Sequence, residues 1–163
     1  LGNPPSKFKE VFKQAKEAGF KLVAHAGEEA DFSYIYEALD LLNIHRIDHG
    51  VQSIKSPELM QRLKDEQMPL TVCPNSNIEL KVFDNYKEHN IKELLDYGLN
   101  ITVNSDDPAY FKGYMNQNFI NICENLPLTE DDVVTLVKNS FRSAFISEAL
   151  KEEYLARVDF AQQ

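Results

Sequence analysis

Apolar residues recur along this chain in two rhythms. From 5 to 19, Phe8, Val11, Phe12 and Ala15 fall at i, i+3, i+4 and i+7 among lysines and glutamates, with Gly19 placed as a stop, which predicts a helix. The short run Phe20 to His25 is mostly apolar and reads as a buried strand ending in Ala26-Gly27-Glu28-Glu29. A second helix follows over Tyr34 to Leu42, with Ile35, Ala38, Leu39 and Leu42 on one face. Arg46-Ile47-Asp48 is a short strand that delivers His49-Gly50, and Ser56-Pro57-Glu58 is a helix start with Ser as cap and Pro in the first turn. That helix carries Leu59, Met60 and Leu63 to about Glu66. Pro69 to Cys73 is the third strand, ending in Pro74-Asn75-Ser76-Asn77, and a loop follows. Ile91 to Tyr97 is a helix stopped by Gly98, and Asn100 to Val103 is the fourth strand. Beyond Asp106-Asp107-Pro108 the chain is mainly helical, with caps at Thr129 and Ser147, and the polar end from Asp159 to Gln163 is expected to fray.

No strand in this series is joined to the next by a hairpin turn. Strand, helix, strand in alternation predicts a parallel sheet of βαβ units with right-handed crossovers. In parallel α/β folds the functional residues gather at the carboxyl ends of the strands. His25, Glu28, His49, Asn75, Asp106 and Asp107 all fall at such ends. Four strands are too few to close a barrel, so the pattern describes either an open four-stranded sheet or half of a (β/α)8 barrel. The opening at Leu1, inside a Pro-containing loop, reads as a piece of something longer.

Composition narrows the partners. With 163 residues, the chain can bury one sizeable core, and 43% hydrophobic with 26% charged residues is ordinary for a globular protein. A net charge of −9 speaks against a nucleic-acid backbone or an anionic membrane as partner. No apolar run is long enough to span a bilayer, and the first residues have neither a basic n-region nor an apolar h-region. Cys73 and Cys123 lie far apart, without C-x-x-C spacing, so neither a disulfide framework nor a zinc knuckle is encoded and a cytoplasmic location is expected.

The strand-end residues carry the chemistry. Singly, each has an ordinary explanation: Asp106-Asp107-Pro108 as an acidic turn, His25 as a hydrogen-bonded structural imidazole, Glu28 as a loop acid like Glu29, and His49 as a packing histidine oriented by Asp48. His45 and His89 lie in predicted loops and read as solvated. Together, two imidazoles, a glutamate and an aspartate pair can face one another across one pocket. That set suits metal-assisted hydrolysis, with a zinc ion acidifying water and carboxylates and imidazole moving protons. There is no nucleophile elbow and no glycine-rich phosphate loop, so covalent and dinucleotide chemistries are poorly supported.

The strings His25-Ala26-Gly27-Glu28, Ile47-Asp48-His49-Gly50-Val51, Cys73-Pro74-x-Ser76-Asn77 and Ser105-Asp106-Asp107-Pro108, in this order and across nearly the whole chain, resemble the adenosine/adenine deaminase family. Leu70 to Pro74 and Asn104 to Phe111, with Gly113-Tyr114, resemble its adenine deaminase branch. Asn75 departs from that branch, where an apolar residue such as Leu is expected, at a position that bears on substrate preference. The resemblance implies the C-terminal half of a TIM (β/α)8 barrel, strands five to eight, with extra C-terminal helices. It implies His25 and Asp106 as ligands of a Zn2+ cofactor, from the fifth and eighth strands. It implies Glu28 as proton donor to the purine N1, and His49, from the sixth strand, as the residue that assists deprotonation of the water. It implies Asp107 as acceptor of a hydrogen bond near the purine N7.

The implied reaction is hydrolytic deamination of adenine to hypoxanthine and ammonia, a step of purine salvage on a small-molecule substrate. The family carries a His-x-His pair on its first barrel strand, and this sequence contains none. Two protein ligands are fewer than the three a catalytic zinc takes. The resemblance therefore implies that the chain alone is inactive, and that it pairs with a missing N-terminal half or self-associates through open sheet edges. Two other readings stay open: an adenosine or N6-substituted adenine deaminase, and a non-catalytic α/β half-barrel with an assembly role.

Overall fold

Parallel strands need long crossovers, and the direction of those crossovers decides which α/β architecture results. The computed structural model describes residues 2–162. Its sheet has four parallel strands, β1 (Val23–Ala26), β2 (Arg46–His49), β3 (Leu70–Val72) and β4 (Ile101–Val103), in the spatial order β1-β2-β3-β4. An open doubly wound sheet reverses its strand order at a switch point. This sheet never reverses, so right-handed crossovers place every connecting helix on the same face. Four strands wound in one direction form half of an eight-stranded barrel.

The crossovers are α2 (Ser33–Leu42), α3 (Pro57–Asp65), and α4 (Pro74–Glu79) with α5 (Ile91–Tyr97). A leading helix, α1 (Lys9–Glu17), precedes β1. After β4 come α6 (Met115–Asn125), α7 (Glu130–Arg142) and α8 (Glu148–Ala161), with α7 packed on β4 and α8 on α7.

Register separates the two faces of the sheet. Ala24, Ile47, Leu70 and Ile101 stand side by side in one row, and His25, Asp48, Thr71 and Thr102 in the next. Successive strand residues point to opposite faces, so the first row meets the helices and the second lies on the other face. Ile47, Leu70 and Ile101 are fully buried with Ile35, Leu59, Leu63, Ile91 and Leu94. Each such side chain contributes roughly 1.5–3 kcal/mol by leaving water. The polar row is cross-linked: the Thr71 hydroxyl donates to Asp48 Oδ1 at 2.6 Å.

Local signals set the element ends. Ser56 Oγ accepts the Leu59 N–H at 3.2 Å, with Pro57 in the first turn of α3. At α7 the Thr129 hydroxyl oxygen accepts the Asp132 N–H and Asp132 Oδ2 accepts the Thr129 N–H, a reciprocal capping box. Gly98 stops α5 at φ +97°, a left-handed conformation that only glycine adopts freely.

Several expectations are corrected. The first strand starts at Val23 rather than Phe20, because Phe20 is 65% exposed and Leu22 is instead pinned to His45. Phe8 and Val11 do not join the core; of the predicted α1 face only Phe12 and Ala15 pack against it. The string Pro74 to Asn77 that ends the third strand opens a helix, α4, where only a loop is expected to follow, since Pro at the first helical position favours a start there. The C-terminal segment stays helical to Ala161, although Gln163 lies outside the described residues. His45 and His89 are not solvated: His45 Nδ1 accepts the Leu22 N–H at 3.1 Å, and His89 is buried against Phe83.

Candidate active site

The site is assembled where β1, β2 and β4 end. After His25 and Ala26, the chain turns at Gly27, φ +68°, to present Glu28. A β-carbon at Gly27 would lie 2.4 Å from Ile35 Cδ1, so both the conformation and the close helix packing require glycine. His49, the last residue of β2, has φ +70°, and Asp106, just past β4, has φ +57°. Left-handed backbone costs a non-glycine residue roughly 1–2 kcal/mol. Strain of this kind collects at functional sites, where the surrounding structure holds it. Here it breaks the strand alternation and turns both residues toward one another.

His49 is the hub. Its ring is 1% exposed, with Nδ1 3.1 Å from Glu28 Oε1 and Nε2 3.9 Å from Asp106 Oδ2. The His25 ring lies beside it, with centroids 4.9 Å apart. Burial pushes the Glu28 carboxyl up to about 7, aided by the charges of Asp106 and Glu29 and opposed by the Asn77 amide that donates to it and by the nearby Ser76 hydroxyl. Burial pulls His49 down to about 4, aided by His25 and opposed by Asp106 and Asp48. Both shifts favour an uncharged acid against an uncharged imidazole, so a proton on Glu28 is available near neutral pH.

The pocket over the strand ends has a volume of about 310 Å³ and is bordered by His25, Asp48, His49, Cys73, Asn104 and Asp106. His49, Cys73 and Asp106 each present a possible ligand atom, all within 4.8 Å of one another. Nitrogen, sulfur and carboxylate oxygen at that spacing fit a borderline-soft divalent ion such as zinc. Cys73 is the least suited of the three, because burial raises its thiol and Sγ donates to Thr71 O. His25 Nδ1 faces Asp48 Oδ2 at 3.5 Å, which leaves Nε2 as the ring's remaining ligand atom. A carboxylate behind one ring nitrogen is how metal-binding imidazoles are held in orientation.

Of the residues singled out from the sequence, His25, Glu28, His49 and Asp106 converge. Neither Glu28 nor Asp107 lines the pocket over the strand ends: Glu28 borders an adjoining cavity of about 140 Å³ with His25 and Gly27, whereas Asp107 is exposed and its Oδ1 accepts the Tyr110 N–H at 3.2 Å. Asp48 partners His25 rather than its neighbour His49, because the register sets it opposite His25. Asn75 is turned into the protein, its Oδ1 accepting from Tyr86 and Asn121 at 2.9 Å each. Cys73, Asn77 and His89 also belong to the site's surroundings, beyond the residues to which the sequence assigns a role. Cys73 and Asn77 sit in a recognisable string, whereas nothing near His89 in the sequence marks it. Asn77 Nδ2 donates to Glu28 Oε1 at 2.9 Å, and its Oδ1 lies 3.2 Å from His89 Nε2.

Comparison with known proteins places this geometry in a family. The chain is 88% identical over 161 residues to an adenine deaminase of Psychrobacter cryohalolentis, an alignment covering 99% of the chain and 48% of that protein. It is 57% identical to an adenine deaminase of Hahella chejuensis, covering 98% of the chain and 48% of the relative. The chain thus spans about half the length of the relatives it matches. Among solved structures, adenine deaminase from Arthrobacter aurescens superposes with a TM-score of 0.97 at 47% identity, over 99% of this chain and 50% of that one. An amidohydrolase from Burkholderia ambifaria, crystallised with bound zinc, superposes with a TM-score of 0.89 at 27% identity, over 97% of this chain and 44% of that one. The sequence pattern of the adenosine deaminase family matches residues 1–161, and the chain belongs to that family.

Proposed function

We propose that this chain carries the proton-transfer half of an adenine deaminase, and that the complete barrel converts adenine and water to hypoxanthine and ammonia. The observation that carries the reading is Glu28. A carboxyl raised to about 7 beside a neutral imidazole, at the carboxyl ends of parallel strands, is an acid prepared to donate near neutral pH. Adenine is preferred over adenosine and N6-substituted adenine because the relatives at 88% and 57% identity are adenine deaminases. An assembly role would have no use for a strained His49 and Asp106 around a raised carboxyl.

In this proposal the purine enters with C6 toward Asp106. Glu28 donates its proton to N1, which withdraws electrons from C6 and favours attack by water there. The neutral His49 accepts a proton from the attacking water and, between Glu28 and Asp106, stabilises the charge that develops. The C6–O bond forms, His49 passes the water's proton to the amino group, the C6–N bond breaks and ammonia leaves. The remaining hydroxyl proton returns to Glu28 as the C6 carbonyl forms, and N1 keeps the proton it received. Asp107 stands outside the pocket lining with Oδ1 on the Tyr110 N–H, so its Oδ2 would accept from a purine N7–H only where the substrate extends past that lining. His25 and Asp106 would hold the zinc, with further ligands from the part of the barrel outside this chain. Zinc, when bound, supplies a water acidic enough to react near pH 7. A cytoplasmic setting accords with Cys73 and Cys123 both being free, and no described helix is long and apolar enough to cross a membrane.

The test completes the barrel. The chain is assayed alone with zinc, and again after fusion to the N-terminal half of the Psychrobacter relative, on adenine, adenosine and N6-methyladenine. Turnover of adenine by the fusion only, lost on chelation and reduced about 10²-fold or more in E28Q, is expected. Robust turnover by the chain alone, or adenosine as the better substrate, would refute the corresponding part of the proposal.

A further inference from the structure

Glu28 ends a hydrogen-bonded chain that starts at a backbone amide. The Ile91 N–H, at the start of α5, donates to His89 Nδ1 at 3.1 Å. A backbone amide can only donate, so Nδ1 must be bare and, in the neutral ring, Nε2 must carry the proton. That Nε2 lies 3.2 Å from Asn77 Oδ1, which therefore accepts. The orientation of the Asn77 amide follows, and its Nδ2 donates to Glu28 Oε1 at 2.9 Å. Every direction in the series is set by the first donor. His89 is 3% exposed, packed on Phe83, and held down to about 3 by burial, so the ring stays neutral. Asn77 is fully buried.

We infer that Asn77, oriented by His89, is the positioning residue that decides which oxygen of Glu28 carries the proton. Oε1 accepts from Asn77, so the acidic hydrogen of the neutral carboxyl belongs on Oε2. Oε1 also takes the His49 Nδ1–H at 3.1 Å, the tautomer that leaves Nε2 free to accept a proton, and Asn77 Nδ2 lies 3.4 Å from that ring nitrogen, so acid, amide and imidazole meet at Oε1. Neither His89 nor Asn77 would touch the purine; both act through Glu28. Such a relay restricts the carboxyl rotamer and its proton together, and misplacement by about 1 Å can cost on the order of 10²-fold in rate.

The inference rests on the proposed deamination for its kinetic consequence but not for its geometry, and the test separates the two. In the chain itself, the imidazole nitrogens of His89 are read by 15N NMR at pH 7. A protonated Nε2 and a bare Nδ1 are expected, and the opposite tautomer overturns the relay whatever the activity proves to be. In the completed barrel, H89A is expected to lower kcat for adenine about 10–100-fold with KM changed by less than about 3-fold. H89Q, whose side-chain N–H can replace Nε2 toward Asn77, is expected to recover most of that loss. If H89A folds poorly, N77S, which keeps an acceptor and a hydroxyl donor in less space, provides the second kcat and KM pair. Unchanged kcat in the folded variants, or equal losses in H89A and H89Q, overturns the inference.

Discussion

At the scale of single residues, the chemistry depends on which groups the fold keeps uncharged. Glu28 would titrate near 4.5 in the unfolded chain and titrates near 7 when folded. Below pH 4.5 it is protonated in both states and leaves stability unaffected. As pH rises from 4.5 to 7 the unfolded chain releases this proton first, so the folded state loses stability, by about 3 kcal/mol once both are ionised. His49, lowered to about 4, acts in the opposite sense and weakens the fold as pH falls from 6.5 to 4. E28Q removes only the first effect. Urea unfolding of the metal-free chain should show the E28Q variant gaining about 3 kcal/mol on the native sequence between pH 4 and pH 8. A difference that stays constant with pH would show that Glu28 is not held protonated. Gly27 tests the turn that delivers this carboxyl: G27A, which places a methyl against Ile35, should destabilise by at least 1 kcal/mol and abolish turnover in the completed barrel.

Elements are specified locally and anchored by packing. The box between Thr129 and Asp132 satisfies two amides that the first turn of α7 cannot satisfy itself. T129A should cost about 1 kcal/mol, visible as a lowered thermal midpoint, with the site chemistry unaffected. Leu63 on α3 is fully buried, so L63A should cost about 2–5 kcal/mol in chemical denaturation. A cost for L63A no larger than that of T129A would mean that α3 is less well packed than its burial indicates. These elements are also where the sequence was most legible. The apolar periodicity of Ile91–Tyr97 ends at a glycine, a signal that bounds the helix without any partner. Pro74–Glu79 gives no such signal, because a six-residue helix has too few turns to show a period, and its Asn75, Ser76 and Asn77 look like turn residues.

The whole molecule is a sheet with two free edges among the described residues, β1 and β4. Beside β1 the apolar side chains Phe8, Val11 and Phe20 are 43–65% exposed. An unpaired edge flanked by apolar surface invites pairing with another chain. Sedimentation of the chain alone should therefore show concentration-dependent association, which the N-terminal half of a relative, added in trans, should suppress. A clean monomer at all concentrations would show that the edges are better protected than their exposure suggests.

The sequence by itself determined the alternation of strands and helices, the strand-end placement of His25, Glu28, His49 and Asp106, and the family to which they belong. These are readable because apolar period, caps and motif strings are local properties of the chain. Only the tertiary structure decided how those residues meet. Parallel register, a matter of pairing between distant segments, set Asp48 opposite His25 and aligned the polar row across all four strands. Two left-handed residues turned His49 and Asp106 toward each other. Burial, which depends on everything packed around a group, raised Glu28, lowered His49 and converted His89 from an expected surface residue into the support of Asn77.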